Sequence, residues 1–268
     1  MSSAELKGAA YNRLYGHRRP PIHRKPRGPF SVFLPLIERF SITRTEAVFN
    51  LIPRGKRFLD VGCGSGDLVL MAKKRFEEVY GVDISAAMLR IAEEKASLKP
   101  DRDRIHFIKH DVEEGLPFPD EFFDAVACVA VLEHLVNPPF VLAEINRVLR
   151  RGRYLIVQVP NFAFFPNRLK MLIGKLPTTG YTDDVGVDWL HLHNFTPDVL
   201  TRLLLKTGFY PVRLSCSGFM ARFRRIWLSF LASDVIVLAK KYRSIPGRLR
   251  EELRANPLTR FDRVRWLS

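Results

Sequence analysis

Three aspartates stand where apolar runs of the sequence end. Asp60 lies in FLDVGCGSG, Asp83 ends VYGVD, and Asp111 follows IHFIKH. Asp60 and Asp83 are separated by room for one crossover helix, so both would lie where neighbouring parallel strands end. Carboxylates at that edge of a sheet accept hydrogen bonds from ribose hydroxyls or from an exocyclic amine. The pattern predicts a pocket for a nucleoside-like ligand.

Three glycines follow Asp60 at alternate positions, and they predict a tight turn before a helix. Gly62, Gly64 and Gly66 lack a Cβ atom, so the turn can adopt positive φ and a ligand can lie against bare backbone. The spacing is not the GxGxxG of dinucleotide-binding turns, and the sequence has no GxxxxGK[ST] phosphate-binding loop. A nucleoside is therefore favoured over a nucleoside triphosphate.

Alternating apolar segments and helical patterns predict an α/β fold with a mostly parallel sheet. The strands are predicted at 56–61, 78–83, 104–109, 122–131, 153–159, 210–215 and 233–239. The helices are predicted at 67–76, 85–97, 138–150 and 196–206, and one or two more at 31–50 are expected to pack ahead of the first strand.

These segments together resemble the class I S-adenosylmethionine-dependent methyltransferases, from about Thr45 to Lys241. FLDVGCGSG is similar to the first motif of that family, VYGVDIS to the second, and IKHDVEEGLPFPDEFFDAVACVAVLEHL to the segment from the third to the fourth strand. EINRVLRRGRYLIVQVPN and HLHNFTPDVLTRLLLKTGF resemble its small-molecule branch, which includes quinone-biosynthesis and glycan- or lipid-associated enzymes. The resemblance implies a Rossmann-like, seven-stranded, mostly parallel sheet with helices on both faces, an N-terminal helical cap and S-adenosyl-L-methionine as cofactor.

The resemblance also implies a role for each residue of the pocket. Asp60 would lie near the methionine amino group, and Asp83 would bind the ribose. The turn glycines Gly62, Gly64 and Gly66 would lie against the methionine and the ribose. Asp111 and Val112 would lie at the adenine. Ile84 and Met88 would flank the adenine ring.

Methyl transfer to a hydroxyl benefits from a general base, and histidine is suited to that task near neutral pH. His134 follows the fourth strand, whereas His191 and His193 would share one face of an extended segment. Asp188 is a weaker alternative. Two histidines without a clear third ligand do not make a metal site, so no metal is predicted.

The net charge of +15 is concentrated at the two ends of the chain. We expect a basic, proline-containing arm at 1–29, a methyltransferase domain at 30–242 and a basic tail at 243–268. Within the domain, the irregular stretch 161–194 occupies the position where the family inserts its substrate-recognition element.

The basic ends are compatible with solvated tails, with docking to an anionic membrane or with nucleic-acid binding. The segment Phe219–Leu228 mixes aromatic side chains with arginines, as does a helix at a lipid interface, although packing on the core explains it equally well.

The preferred function is O-methylation of a small-molecule or lipid-linked acceptor, with peripheral membrane contact. The alternatives are an RNA- or protein-modifying methyltransferase and a cofactor-binding fold without activity. Oligomeric state is left open.

The three cysteines are scattered, so we expect reduced thiols and no disulfide framework: Cys63, Cys128 and Cys216. No apolar run has the length of a membrane-spanning helix, and the first residues lack the apolar core of a signal peptide. A cytoplasmic location is expected.

Overall fold

The computed structural model describes residues 42–177, 191–218 and 221–255. The described chain contains one seven-stranded sheet in the order β3-β2-β1-β4-β5-β7-β6. Its strands are β1 (Gly55–Val61), β2 (Phe76–Asp83), β3 (Ile105–Lys109), β4 (Phe123–Val129), β5 (Leu149–Pro160), β6 (Phe209–Ser215) and β7 (Asp234–Lys241). Strands β1 to β5 pair in parallel, and β7 runs antiparallel to both of its neighbours. The predicted seven-stranded, mostly parallel sheet is confirmed.

Nine α-helices accompany this sheet in the described ranges. They are α1 (Arg44–Phe49), α2 (Asp67–Ala72), α3 (Ala86–Ser97), α4 (Pro138–Val148), α5 (Phe165–Leu172), α6 (Pro197–Lys206), α7 (Ala221–Arg224), α8 (Leu228–Leu231) and α9 (Gly247–Ala255). Several begin where the sequence supplies a cap. Thr43 and Glu46 form a capping box at α1, and Thr196 and Asn137 cap α6 and α4.

Helices cover both faces of the sheet, because side chains along each strand alternate between two apolar clusters. Phe58 lies in the cluster that contains the apolar sides of α1, α2 and α3. Leu59, the next residue, lies in the cluster that contains α4, α6 and α9. The carboxyl ends of β1 to β5 therefore meet at one edge between two helical layers.

Two of the predicted helices end earlier in the structure, because burial outweighs the helical pattern. The helix predicted to reach residue 76 ends at Ala72, and Phe76 instead pairs with Gly55 and packs on Phe58 with ring centroids 5.3 Å apart. The helix predicted to reach residue 150 ends at Val148, and the fully buried Leu149 pairs with Phe123.

Helix α9 lies within the stretch predicted as a basic tail, and it packs on α4 through Leu249 and Leu253. The Nδ2 of Asn137 donates to the carbonyl of Leu253 over 2.6 Å, which fixes α9 beside the start of α4. The proposed arm at 1–29, most of the predicted cap and Asp188 lie outside the described residues.

In the part of the chain that the structure describes, no helix has both the length and the apolar character needed to cross a bilayer. All three cysteines are free thiols and are buried.

Candidate active site

The glycine-rich turn connects β1 to α2, and close packing makes glycine necessary within it. Gly62 has φ of 72°, and a Cβ atom there would lie 2.3 Å from Cγ2 of Val131. Gly66 has φ of 76°, and its Cβ would lie 2.8 Å from the ring of Phe107. The amide of Gly62 donates to the carbonyl of Val82 over 2.8 Å, so the turn is fastened to the end of β2. The turn is thus held rigidly against β2, β3 and the residues after β4.

Asp83 organises the backbone around it. Its Oδ2 accepts from the amide of Gly64 over 2.8 Å, and its Oδ1 accepts from the amide of Ser85 over 2.8 Å. Burial raises the pKa of Asp83 and outweighs the backbone hydrogen bonds, which lower it. The Oγ of Ser85 in turn accepts from the amide of Met88 and caps α3. Each oxygen retains a lone pair that can accept from a ligand hydroxyl.

Asp60 is buried beside this turn, with 3% of its surface exposed. Its Oδ1 has no hydrogen-bond partner among the described residues. Burial raises the pKa of Asp60 well above its usual value, and the negative charge of Asp83 raises it further. A buried carboxylate with an unpartnered oxygen is costly, so this position is suited to a cationic ligand group.

The end of β3 joins the same site. The amide of His110 donates to the carbonyl of Asp83 over 3.0 Å. Asp111, which is buried, accepts from the amide of Glu113 through its Oδ1, and the buried Val112 lies between them. The ends of β1, β2 and β3 are therefore joined by backbone hydrogen bonds, and the three aspartates lie at the edge where they were predicted.

The two side chains predicted to flank an adenine lie beside the turn. Ile84 follows Asp83 and is half-buried. Met88 is also half-buried, and its Cε lies 3.6 Å from the position that a Cβ on Gly64 would occupy. Met88 therefore borders the turn at Gly64, and Ile84 lies directly after the end of β2.

The predicted histidines meet at the end of β4. The ring centroids of His134 and His191 lie 4.8 Å apart. The amides of Leu192 and His193 both donate to the carbonyl of Glu133, over 2.8 Å and 3.1 Å. The Nε2 of His193 is buried and has no hydrogen-bond partner among the described residues. The chain thus returns from the insertion directly onto the turn that carries His134.

Glu133 belongs to this group and was not predicted. It is 1% exposed, and neither carboxylate oxygen has a hydrogen-bond partner in the described ranges. Burial raises the pKa of Glu133 to about 7, against the smaller opposing effects of its own backbone amide and Arg44. Nearby, Ala130 adopts φ of 55°, an uncommon conformation for a residue with a side chain. Such strain together with a perturbed carboxyl group is typical of functional sites.

Known proteins resemble the chain in this region. Residues 59–157 match the family model described as "Methyltransferase domain". A demethylmenaquinone methyltransferase of Symbiobacterium thermophilum is 37% identical over 101 residues, which are 37% of this chain and 40% of that protein. A ubiquinone biosynthesis O-methyltransferase of Dechloromonas aromatica is 37% identical over 136 residues, which are 50% of this chain and 56% of that protein. The chain thus spans about half the length of the curated relatives it matches.

Solved structures show the same fold. An S-adenosylmethionine-dependent methyltransferase of Methanosarcina mazei superimposes with a TM-score of 0.57 at 22% identity, covering 75% of this chain and 98% of that one. The residues that match the family model include the end of β1, the glycine turn, Asp83, Asp111 and β4. Residues 59–157 thus match a methyltransferase domain by sequence, and the described sheet has the fold of solved S-adenosylmethionine-dependent methyltransferases.

Proposed function

We propose that the chain transfers the methyl group of S-adenosylmethionine to a hydroxyl of a small-molecule or lipid-linked acceptor. The observation that carries the proposal is the set of three buried or half-buried carboxylates around one glycine turn: Asp60, Asp83 and Asp111. Relatives named for ubiquinone biosynthesis O-methylation and for demethylmenaquinone methylation support an acceptor of the quinone type.

Each carboxylate suits one part of the cofactor. The unpartnered Oδ1 of Asp60 would accept from the ammonium group, which removes the penalty of an isolated buried charge. Asp83 would accept from the ribose hydroxyls while Gly64 and Ser85 hold its orientation. Asp111 and Val112 would border the adenine, together with Ile84 and Met88, the two half-buried side chains near the turn.

The cofactor supplies a methyl group already activated by its sulfonium charge, so the chain has to align the acceptor, exclude water and remove a proton. The acceptor oxygen forms a bond to the methyl carbon as the bond from carbon to sulfur breaks. His134, His191 and His193 are the proposed bases because all three lie around the turn after β4. The hydroxyl proton would pass to an imidazole nitrogen and then to water.

A surface near the end of β5 supports a lipid-linked acceptor. We call it the arginine–aromatic surface; it consists of α5 and the segment 221–231. The rings of Phe165 and Phe230 lie 4.8 Å apart, which joins the two parts. Trp227 stacks on Phe230 at 4.6 Å and is 58% exposed, and the guanidinium of Arg168 lies 5.6 Å from the Phe230 ring.

The side chain of Asn161 fixes this surface to the end of β5. Its Nδ2 donates to the carbonyls of Leu228, Ser229 and Ala232, over 3.2 Å, 3.3 Å and 2.7 Å. Exposed aromatic and aliphatic side chains among arginines suit the headgroup region of an anionic membrane. We therefore propose a cytoplasmic enzyme that meets its acceptor at the membrane surface.

Calorimetry of the full chain with S-adenosylhomocysteine tests the cofactor, and transfer of a labelled methyl group to hydroquinone and catechol acceptors tests the reaction. Failure to bind S-adenosylhomocysteine would refute the proposal. Co-flotation with phosphatidylglycerol vesicles, but not with phosphatidylcholine vesicles, tests the membrane contact, and Trp227→Ser should weaken it. Salt-dependent RNA binding without vesicle binding would instead favour a polyanionic substrate.

A further inference from the structure

One cluster of potential metal ligands stands at the end of β4. Within residues 42–177, 191–218 and 221–255, Glu133, His134 and His191 form the one group of three such side chains whose ligand atoms all lie within 4.8 Å of one another. The sequence predicted no metal site because two histidines lacked a clear third ligand. The structure supplies a third ligand, the buried carboxylate of Glu133.

The carboxylate of Glu133 points to a ligand because it is buried without compensation. It is 1% exposed, and neither oxygen accepts a hydrogen bond from the described residues. A buried carboxylate requires a proton, a donor or a cation. Arg44 is the cation that acts on it electrostatically, and that side chain is exposed to solvent.

The backbone holds the third ligand in place. His191 lies in the segment whose next two amides, of Leu192 and His193, both donate to the carbonyl of Glu133. His134 is adjacent to Glu133 on the short 3₁₀ turn Leu132–His134, and its ring already contacts that of His191. The three ligands are thus positioned by one turn and by an irregular segment that two backbone hydrogen bonds hold to it.

We propose that Glu133, His134 and His191 bind one divalent cation of the zinc, cobalt or manganese type. Imidazole and carboxylate are ligands that these ions share. Ligand atoms around a tetrahedral ion with bonds of about 2.1 Å stand roughly 3.4 Å apart, so small side-chain rotations close the site. Three protein ligands leave a further coordination position for water or an acceptor oxygen.

Local charge also favours a cation. The carboxylates of Glu133 and Asp60 both act on the buried thiol of Cys128 in β4, and both raise its pKa in addition to burial, which is the main cause. Two carboxyl groups, one in β1 and one on the turn after β4, therefore act on the same part of β4. Binding of the ion can be measured without methyl transfer; with the ion bound, His134 and His191 serve as ligands and His193 remains the proposed base.

The test uses the full-length chain without a polyhistidine tag, stripped of metal with a chelator. Isothermal titration with Zn²⁺ and the visible absorption of added Co²⁺ measure affinity and coordination. We expect one ion per chain. Glu133→Gln and His191→Asn should each weaken binding by about 100-fold, since even outer partners of metal ligands are worth 10–100-fold. His106→Asn is the control. His106 lies in β3, where its ring stacks on Tyr80 of β2, and its loss should leave binding of the ion unchanged.

The inference is overturned if the wild-type chain takes up no stoichiometric ion, or if His191→Asn binds as tightly as the wild type. Glu133→Gln could unfold the chain, which circular dichroism would reveal. His191 lies outside the helices and strands and is half-buried, so His191→Asn then decides the question alone.

Discussion

The amide nitrogen of Gly64 lies 2.8 Å from Oδ2 of Asp83, so the glycine turn after β1 is fastened to the carboxylate that ends β2. The other oxygen of Asp83 accepts from Ser85, at the start of α3. One side chain therefore fixes the positions of two backbone segments around the site. Its substitution should affect cofactor binding through the loss of a ligand contact and through the loss of this order.

Asp83→Ala should weaken binding of S-adenosylhomocysteine by at least about 100-fold, because hydrogen bonds to a charged group contribute about 1.5–3 kcal/mol each. Calorimetry measures the change. Glu78→Gln is the matched control, since Glu78 lies earlier in the same strand and pairs with Arg57 and Tyr80. An Asp83→Ala chain that binds normally would exclude the ribose assignment.

Asp60→Asn should stabilise the folded chain but weaken its binding of the cofactor. The pKa of Asp60 is raised by burial and by Asp83, so ionisation at neutral pH destabilises the folded chain without ligand. This cost is absent below the ordinary aspartate value of about 3.9 and increases as the pH rises toward the folded pKa. Asp60→Asn should therefore raise the melting temperature at neutral pH, by about 2–4 °C for each kcal/mol, while it weakens cofactor binding.

Thermal unfolding of both chains from about pH 5 to about pH 8 measures this difference, which should widen as the pH rises. Asp111→Asn is the control for the melting temperature. It changes another carboxylate of the same site, and that carboxylate already accepts a hydrogen bond from the amide of Glu113. A melting temperature that falls on Asp60→Asn at every pH would contradict the expectation.

The three strand-end aspartates and the glycine turn were predictable because they depend on local rules: where an apolar strand ends, and where backbone needs positive φ. Glu133 was not, since nothing in VLEHL, where the predicted fourth strand ends, indicates that this carboxylate is buried. Its burial depends on the return of residues 191–193 to its carbonyl, a contact between distant parts of the chain. Leu149 shows the same limit, because pairing with Phe123 decides where α4 ends.

Asp124 should make the free energy of unfolding decrease in acid. Burial alone raises its pKa, but the amides of Arg57 and Lys56 and the guanidinium of Arg150 outweigh burial and lower it. The stabilisation is therefore present above about pH 4 and is lost as the pH falls through the folded pKa. Asp124→Asn should cost roughly 2 kcal/mol at neutral pH and progressively less in acid.

Urea unfolding at several pH values tests this expectation. The control is Asp120→Asn, which removes an ion pair between an exposed carboxylate and Arg147 and should cost less than about 1 kcal/mol. If Asp124→Asn lowers the free energy of unfolding equally at all pH values, the shape of the Asp124 side chain and not its charge explains the effect.

Gly62→Ala and Gly64→Ala should differ although both glycines have positive φ, at 72° and 51°. A Cβ at Gly62 would lie 2.3 Å from Val131, whereas one at Gly64 would meet, among the described residues, only Met88 at an ordinary 3.6 Å. Gly64→Ala should cost about 1 kcal/mol from backbone strain, and Gly62→Ala about 3 kcal/mol or more. Because Val131→Ala removes the clashing methyl groups, the double variant Gly62→Ala, Val131→Ala should be less destabilised than the sum of the two single variants. Urea unfolding of the four variants measures the coupling, and strict additivity would show that the contact with Val131 does not set the requirement for glycine.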